Sequence, residues 1–310
     1  MSRDEAVERR GLARQVSARA LGWLHRNRHL GSFPADTSAE LADPDGVYKP
    51  LGESALAAGM ARRAAGVLPD EENAARALLE FGWDQLRRGD LLYERQLRYP
   101  AMTDPLEVYA PFAAAGYRHG RLDGLLAHLT ATGSYWAVEQ LPNRRLAVAN
   151  AARLTGLPVD GDWASLTEAT WLGRRPEPWL LDWMTAYCMT HTVFHVTDWG
   201  RRPHALPDPV VEYLTHWLPV WMEVWAEISE WDLLAELVIV DACLPQPRCT
   251  ADVWRRLASV QRADGLVPRD GKPVDSGERQ AFTDHHHTTA VAVMAGALTL
   301  LRDSDAVPVD

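Results

Sequence analysis

The stretches "LASVQRADGLVP" (residues 257–268) and "FTDHHHTTAVAVMAGALTLL" (residues 282–301) decide the fold class. The first closes a segment with charge on one side and apolar residues on the other, which is typical of a helix with one solvated face. The second is apolar or small at nearly every position after its histidines, which predicts a helix that is buried on most sides. We interpret the pair as an outer helix, a loop and an inner helix.

The same pairing recurs along the chain, and alternating β-branched runs typical of strands are scarce. We predict outer helices at 4–22, 73–88, 121–140, 164–174, 208–230 and 251–262. We predict inner helices at 52–66, 104–116, 144–154, 178–198, 232–243 and 285–301. This pattern predicts an all-α chain with a single domain over residues 1–310, folded as an α/α toroid of about six helical hairpins around a central cavity. Residues 303–310 are predicted to form a flexible tail.

The turn between Gln261 and Gly265 resembles the repeat of α/α-toroid enzymes, in which a helix ends in Gln-x-x-x-Gly and the next one begins inside the ring. The stretches "HRNRHLGSFPAD" (25–36) and "GVYKPLGESALAAGM" (46–60) resemble a degenerate second copy. Hopene-type terpene cyclases and the β subunits of protein prenyltransferases have this architecture. The Asp-x-Asp-Asp acid of the cyclases is absent from the sequence, so the resemblance implies the architecture and not the activity.

Composition narrows the classes of partner. The chain has 42 acidic and 32 basic residues and a formal charge of −10, without a Lys/Arg-rich segment, so we expect no nucleic-acid partner. No apolar run reaches the length of a membrane span, and the N-terminus lacks a signal-peptide pattern. Cys188, Cys243 and Cys249 lack zinc-finger spacing and are expected to be reduced thiols. These features predict a cytoplasmic protein. The sequence does not specify its oligomeric state.

The stretch "YCMTHTVFHVTDWGRRP" (187–203) places four polar side chains on one stripe of an apolar helix, namely Tyr187, His191, His195 and Asp198. We expect this stripe to face the cavity. One hypothesis is acid–base catalysis, with Asp198 orienting a histidine. Another is a divalent metal such as zinc bound by His191, His195 and Asp198. The structural alternative is that these histidines are core residues with hydrogen-bond partners and have no catalytic or metal-binding role.

Three consecutive histidines precede the last inner helix. Thr283 or Asp284 is expected to cap that helix. Consecutive helical side chains point about 100° apart, so at most two of the histidines can reach one cavity. We predict that His287 does so first and His286 second, with Asp284 on the face of His287 and His285 as a loop or packing residue.

Asp241 and Cys243 close an apolar segment in "IVDACLPQPRC" (239–249). An Asp-x-Cys pair followed by a later histidine resembles the zinc site of prenyltransferase β subunits, which implies Asp241, Cys243 and His286 or His287 as zinc ligands. Here the pair ends its helix, whereas in that family it begins one. A carboxylate at the helix end and a buried thiol are the structural alternative.

Further candidates lie where loops enter inner helices or beside the polar stripe. Glu53 and Asp104 are expected to cap the starts of helices. If both reach the cavity, they could instead form an acid/base pair of the kind that glycosidases use. Substrate-contacting side chains are predicted to be Trp183, Trp199, Trp231, Glu53, Asp104 and Tyr109.

We therefore expect an enzyme that acts on a small, largely apolar organic substrate by His/Asp acid–base chemistry, as a cyclase, isomerase or lyase of biosynthesis. One alternative is a divalent-metal-dependent enzyme that uses the same residues as ligands. Two others are a carbohydrate-active toroid using Glu53 and Asp104, and a non-enzymatic helical binding protein. The sequence does not specify the substrate.

Overall fold

Helices account for all regular secondary structure in the computed structural model, which describes residues 2–34, 36–40, 43–64, 66, 68–159 and 161–305. The prediction of an all-α chain is confirmed. The helices are α1 (Arg3–Asn27), α2 (Pro44–Arg63), α3 (Pro69–Gln85), α4 (Asp90–Arg98), α5 (Asp104–Ala114), α6 (Gly120–Thr130), α7 (Gly133–Trp136), α8 (Pro142–Thr155), α9 (Trp163–Glu168), α10 (Trp171–Arg174), α11 (Trp183–Val196), α12 (Asp208–Glu227), α13 (Trp231–Cys243), α14 (Ala251–Val260) and α15 (Glu278–Asp305).

Local sequence explains where several helices begin and end. The carboxylate of Asp182 accepts the backbone N–H of Thr185 at 2.8 Å and so caps α11. Helix α8 begins with Pro142, whose missing N–H has no partner to lose at this position. It ends at Gly156, which adopts a left-handed backbone with a φ of +79°.

Six helices contact one another in a closed order. Helix α2 packs on α5, α5 on α8, α8 on α11, α11 on α13, α13 on α15, and α15 on α2. These are the six segments predicted to be inner helices. Every residue of α13 from Asp232 to Cys243 is buried, as is every residue of α15 from Thr288 to Leu300.

Other long helices cover these six and keep one face in solvent. Helix α1 packs along α15, α3 along α2, and α12 along α13, while α14 packs against α1. Within the described ranges, none of the helices combines the length and apolarity that a bilayer crossing requires.

The boundaries differ from the predicted ones in a way that matters for the site. Helix α15 begins at Glu278, so Asp284 lies in its second turn and accepts a hydrogen bond from Gln280 instead of capping the helix. Helix α2 begins at Pro44, so Glu53 is an interior residue and not a cap. Residues 303–305, predicted to belong to a flexible tail, continue α15, and Asp303 pairs with Arg9. Residues 306–310 lie outside the described residues.

The outer segments also differ from the prediction. The segment predicted at 121–140 is divided between α6 and α7, and that at 164–174 between α9 and α10. Helix α4 falls in a region where no helix was predicted.

The loop between α14 and α15 explains the Gln-x-x-x-Gly motif. Nε2 of Gln261 donates to the carbonyl oxygens of Val16 and Gly265, each at 3.0 Å, and ties the turn to α1. Gly265 has a φ of +100°, and a Cβ atom there would lie 2.2 Å from the carbonyl oxygen of Arg19. The motif therefore allows the turn to approach the backbone of α1 closely.

Candidate functional site

His287, on α15, lies at the centre of a cluster of ionisable side chains from α2, α13 and α15. Its Nδ1 donates to Oε1 of Glu53 at 2.8 Å. Its Nε2 lies 3.6 Å from Oδ2 of Asp232 and 3.6 Å from Oε1 of Glu236. The bond to Glu53 fixes a proton on Nδ1 and leaves Nε2 directed at the two acids.

Asp232 and Glu236 are held rigidly within the interior. They are four residues apart on α13 and therefore share one face, with their side chains 2 % and 1 % exposed. Oδ1 of Asp232 accepts the hydroxyl of Thr288 at 2.7 Å. Oδ2 of Asp232 accepts the hydroxyl of Tyr187, and Oε2 of Glu236 accepts that of Thr190. The acids keep Oδ2 and Oε1 near Nε2 of His287.

His191, on α11, completes the cluster from a fourth helix. Its Nε2 lies 3.6 Å from the same Oε1 of Glu236 that faces His287. Tyr187, one turn earlier on α11, reaches Asp232. The two predicted residues at the start of the polar stripe are thus brought to the same place as His287.

Glu53 has further partners on α2 and α15. Its Oε2 lies 3.7 Å from Nδ1 of His286, and Nε2 of His286 is hydrogen-bonded to the hydroxyl of Ser54 at 2.9 Å. Nζ of Lys49, one turn earlier on α2, lies 3.7 Å from Oε1 of Glu53. His286 is therefore a neighbour of Glu53 and not of Asp241 or Cys243.

Electrostatics in the cluster favour a positive charge at His287. Burial lowers the pKa of His287, but the carboxylates of Glu53 and Asp232 and the approach of Glu236 outweigh it and hold the pKa well above its ordinary value. Burial raises the pKa of Glu53 and of Glu236, and the adjacent imidazoles outweigh it and hold both pKa values below the usual range. Three carboxylates thus surround the imidazole of His287, and Lys49 and His191 add further positive or ionisable groups beside Glu53 and Glu236.

A cavity of about 420 Å³ reaches the side of this cluster formed by Glu53 and His287, whereas Asp232, Glu236 and His191 lie behind them and do not line it. Its lining includes Glu53 and His287, together with the apolar side chains of Phe33, Val47 and Phe282. A small, largely apolar molecule in this cavity would contact the ionisable centre on one side and hydrocarbon on the other.

The geometry is compatible with a divalent metal ion. Asp232, Glu236 and His287 each place one ligand atom within 4.8 Å of the other two, and this is the one such group of three in the part of the chain that the structure describes. Separations of 3.6 Å are too long for hydrogen bonds. They are close to the edge of about 3.4 Å of a tetrahedron of metal–ligand bonds of about 2.1 Å.

The other predicted members of the polar stripe lie elsewhere. Helix α11 ends at Val196, and Asp198 follows with a left-handed backbone and pairs with Arg201 at 3.7 Å. Nδ1 of His195 is buried and has no hydrogen-bond partner among the described residues, and burial holds the pKa of this imidazole well below its ordinary value. Asp198 thus does not orient His195 or His191, and His191, His195 and Asp198 do not form a ligand set.

Asp241 and Cys243 also do not join a ligand set. The carboxylate of Asp241 accepts the backbone N–H groups of Arg248 and Cys249 at 2.8 and 2.9 Å, so it closes the loop after α13. Burial raises the pKa of the Cys243 thiol to about 12, which disfavours the thiolate that zinc needs.

Asp104 and Tyr109 have structural partners. Asp104 forms a buried ion pair with Arg95, and the hydroxyl of Tyr109 donates to Asp123 at 2.8 Å. Asp104 therefore does not pair with Glu53 as a glycosidase acid/base pair would.

The remaining predicted residues have mixed positions. Nδ1 of His285 accepts the backbone N–H of Arg269 at 3.1 Å, as expected of a packing residue. Trp183 is 57 % exposed and packs edge-on against the ring of Tyr187, with 5.0 Å between the ring centroids. Trp199 stacks on Phe194 at the far end of α11, and Trp231 is half-buried at the first position of α13.

Asp232 and Glu236, the two most deeply buried acids of the cluster, are not among the residues predicted from the sequence. The signal was available in "WDLLAELVIVDAC" (231–243), where two carboxylates stand four residues apart in an otherwise apolar helix. A buried carboxylate is rare without a partner or a metal, and it carries more information than the acid at the helix end.

Comparison with known proteins gives one match. A family described as "Domain of unknown function (DUF6895)" matches residues 17–297. No curated protein and no solved structure matches the chain.

Proposed function

The chain belongs to the DUF6895 family, and we propose that it is an enzyme whose centre binds a divalent metal ion. The observation that carries the proposal is the convergence of Asp232, Glu236 and His287 with His191 in the interior of the helical assembly. Carboxylate and imidazole ligands together suit zinc, manganese or iron. A divalent cation would be attracted by the two buried carboxylates of Asp232 and Glu236.

Spacing supports a shared ion over direct contact. Nε2 of His287 stands 3.6 Å from each acid, and Nε2 of His191 stands 3.6 Å from Glu236. Atoms that attracted one another directly would approach to about 2.8 Å as a charge-assisted hydrogen bond. Ligands that share a metal are held further apart because each one is bonded to the ion.

The surrounding hydrogen bonds are those that a metal centre needs. A metal-bound histidine commonly donates its other ring N–H to a carboxylate, as His287 does to Glu53. The oxygens of Asp232 and Glu236 that face away from His287 accept hydroxyls of Thr288 and Thr190. These bonds orient the ligands before any ion binds.

The cavity indicates the kind of substrate. A bound metal would supply Lewis-acid catalysis or an activated water, and the protein would orient the substrate. Phe33, Val47 and Phe282 would hold an apolar body, while Lys49 at the rim would attract a negatively charged group. We propose a small, largely apolar organic substrate, in keeping with a cyclase, isomerase or lyase, in a cytoplasmic protein.

We also propose that the architecture is an α/α toroid. The closed order of contacts among α2, α5, α8, α11, α13 and α15 supports this, as does the covering of these helices by α1, α3 and α12. An experimental structure in which α2 and α15 are not neighbours would contradict it.

Metal content tests the proposed function. Protein made without a histidine tag, from cells supplied with zinc, manganese and iron, is measured by plasma mass spectrometry. We expect about one ion per chain. The near-isosteric double variant Asp232→Asn/Glu236→Gln should lose the ion and keep its helical circular dichroism. The control Asp208→Asn/His204→Ala changes exposed residues and should keep the ion. Equal metal content in the two double variants, or a parent that takes up no metal, would overturn the proposal.

Acid–base catalysis without metal is the second candidate, and the 2.8 Å contact between His287 and Glu53 at the cavity wall favours it. It predicts that metal-free protein turns over its substrate and that His287→Gln and Glu53→Gln each abolish this turnover. If the folded protein neither binds metal nor shows turnover that depends on these two residues, the cluster is a structural network.

A further inference from the structure

A second cavity, of about 270 Å³, lies at the other end of α2 and goes beyond the proposed function. Arg63, at the end of α2, contributes to it, whereas Glu53 in the ionisable centre does not. Ten residues of helix separate the two, a distance of about 15 Å along the axis. The two cavities share none of their lining residues.

Asp198 lies in the wall of this cavity with an unsatisfied carboxylate oxygen. The residue is 7 % exposed, and its Oδ1 is buried without a hydrogen-bond partner among the residues the structure describes. Its other oxygen, Oδ2, is 3.7 Å from a guanidinium nitrogen of Arg201. The carboxylate therefore has only one distant guanidinium as a partner in the described part of the chain, and a ligand that donates a hydrogen bond to it would recover part of the free energy that burial costs.

The ionisable side chains that line the cavity carry more positive than negative formal charge. Arg62, Arg63 and Arg201 line it together with two acids, Glu72 and Asp198. Arg62 pairs with Glu72 at 2.9 Å and Arg201 with Asp198, whereas Arg63 has no ion pair within the described ranges. One guanidinium therefore remains for an anionic group.

The rest of the lining is apolar. It includes Leu56, Met60, Pro111, Ala114, Ala115 and Leu154. The ring of Trp199, stacked on Phe194 with 4.5 Å between ring centroids, forms a flat part of the wall beside Asp198. This surface fits an aliphatic or aromatic group and offers it no hydrogen bond.

We propose that this cavity binds a small amphipathic carboxylic acid that also carries a hydroxyl or amino group. Its carboxylate pairs with Arg63, its hydroxyl or amine donates to the carboxylate of Asp198, and its apolar part contacts Leu56 and Met60. The site is a second ligand site of the enzyme, separate from the ionisable centre.

Calorimetric titration of the full-length protein tests the proposal with leucine, leucic acid, phenylalanine and phenyllactic acid. For leucine and leucic acid, isocaproate lacks the donor and leucinamide lacks the carboxylate; for phenylalanine and phenyllactic acid, 3-phenylpropionate and phenylalaninamide are the corresponding controls. We expect saturable binding of at least one of the four acids, and binding of its matching control that is weaker by about tenfold or more.

Variants assign the binding to this cavity. Arg63→Ala should lower the affinity for the acid by about tenfold or more, because the ligand's carboxylate loses its ion pair. Asp198→Asn should lower the affinity for an amino acid more than the affinity for the corresponding hydroxy acid, because the neutral amide no longer attracts an ammonium group. The matched control is Arg202→Ala, which changes an exposed arginine outside the cavity and should leave binding unchanged.

Three results would overturn the proposal. They are absence of binding for all four acids, equal affinity of the acid that binds and of its analogue without the hydroxyl or amino group, and equal effects of Arg63→Ala and Arg202→Ala. None of them bears on metal content, so this proposal and the proposed function fail separately.

Discussion

Nδ1 of His287 lies 2.8 Å from Oε1 of Glu53, although the two residues are 234 positions apart in the sequence. This contact joins α15 to α2, the last and first helices of the closed order of contacts. It orients the imidazole so that its second nitrogen faces Asp232 and Glu236. The metal centre that we propose therefore depends on a residue that would not itself touch the ion.

Glu53→Gln should weaken metal binding without changing the number of sites. A neutral amide polarises the imidazole of His287 less than a carboxylate does, and loss of such a partner reduces metal affinity by about 10- to 100-fold. Competition with a chromogenic chelator measures the affinity, and saturation with metal measures the stoichiometry. Asp284→Asn is the control, since Asp284 is on the same helix and bonds to Gln280. Equal affinities in the two variants would contradict this role of Glu53.

Gly265→Ala should destabilise the fold strongly. The left-handed backbone costs a non-glycine residue about 1–2 kcal/mol, and the overlap with the carbonyl oxygen of Arg19 adds about 1–3 kcal/mol. Gly124→Ala is the matched control, because Gly124 lies inside α6 with no atom within 4 Å of an added Cβ. That change should stabilise the protein by about 0.5–1 kcal/mol. Urea unfolding measures both, and a Gly265→Ala variant as stable as the parent would refute the close approach.

Arg95→Leu should lower the free energy of unfolding by about 3–5 kcal/mol, because it leaves the carboxylate of Asp104 buried and unpaired. The side chains of this pair are 3 % and 10 % exposed, whereas those of Arg88 and Asp84 are 72 % and 62 % exposed. Arg88→Leu should cost about 0–1 kcal/mol. Denaturant titration compares them, and similar losses would show that burial does not set the strength of the Arg95–Asp104 pair.

Asp198→Asn should stabilise the protein at neutral pH, and the gain should shrink in acid. Burial raises the pKa of Asp198 above its value of 3.8 in the unfolded chain, although Arg201, Arg153 and Arg63 act in the opposite direction. For a raised folded-state pKa, the stabilising contribution is complete below 3.8 and is lost as the pH rises through the folded-state value. The parent therefore loses stability relative to the asparagine variant as the pH rises.

Unfolding measured at several pH values between 3.5 and 7 checks this difference. Asp252→Asn, an exposed acid on α14, is the control and should show no such trend. A parent that gains stability over Asp198→Asn with rising pH would indicate a lowered pKa and contradict the burial argument.

Prediction from the sequence succeeded where the signal is local. The apolar runs at 232–243 and 285–301 correspond to α13 and to the buried part of α15. The predicted start of α15 was wrong by about two helical turns, because residues 278–284 are helical but contain only two apolar residues, Ala281 and Phe282, which are too few to form an apolar stripe. A cap residue such as Asp284 is a good signal only where the preceding backbone is not already helical.

Prediction of the site was partial for a geometric reason. Tyr187, His191 and His195 recur every four residues, and each step of four rotates the stripe by about 40°, so His195 points about 80° away from Tyr187. Tyr187 and His191 therefore reach α13, while His195 lies against Trp199, with 6.3 Å between their ring centroids. Asp198 is outside the helix, so the helical spacing does not apply to it.

The sequence by itself determined an all-α chain, the main buried helices and the glycine turn at Gly265, because these depend on periodicity and on backbone sterics within a few residues. Only the tertiary structure decided which polar side chains meet. Four helices supply the side chains of the site, namely Glu53, His191, Asp232, Glu236 and His287. The distances between these side chains depend on how the helices pack and on the rotation of each helix about its axis. Side-chain packing sets that rotation over the whole core, so no local pattern contains it.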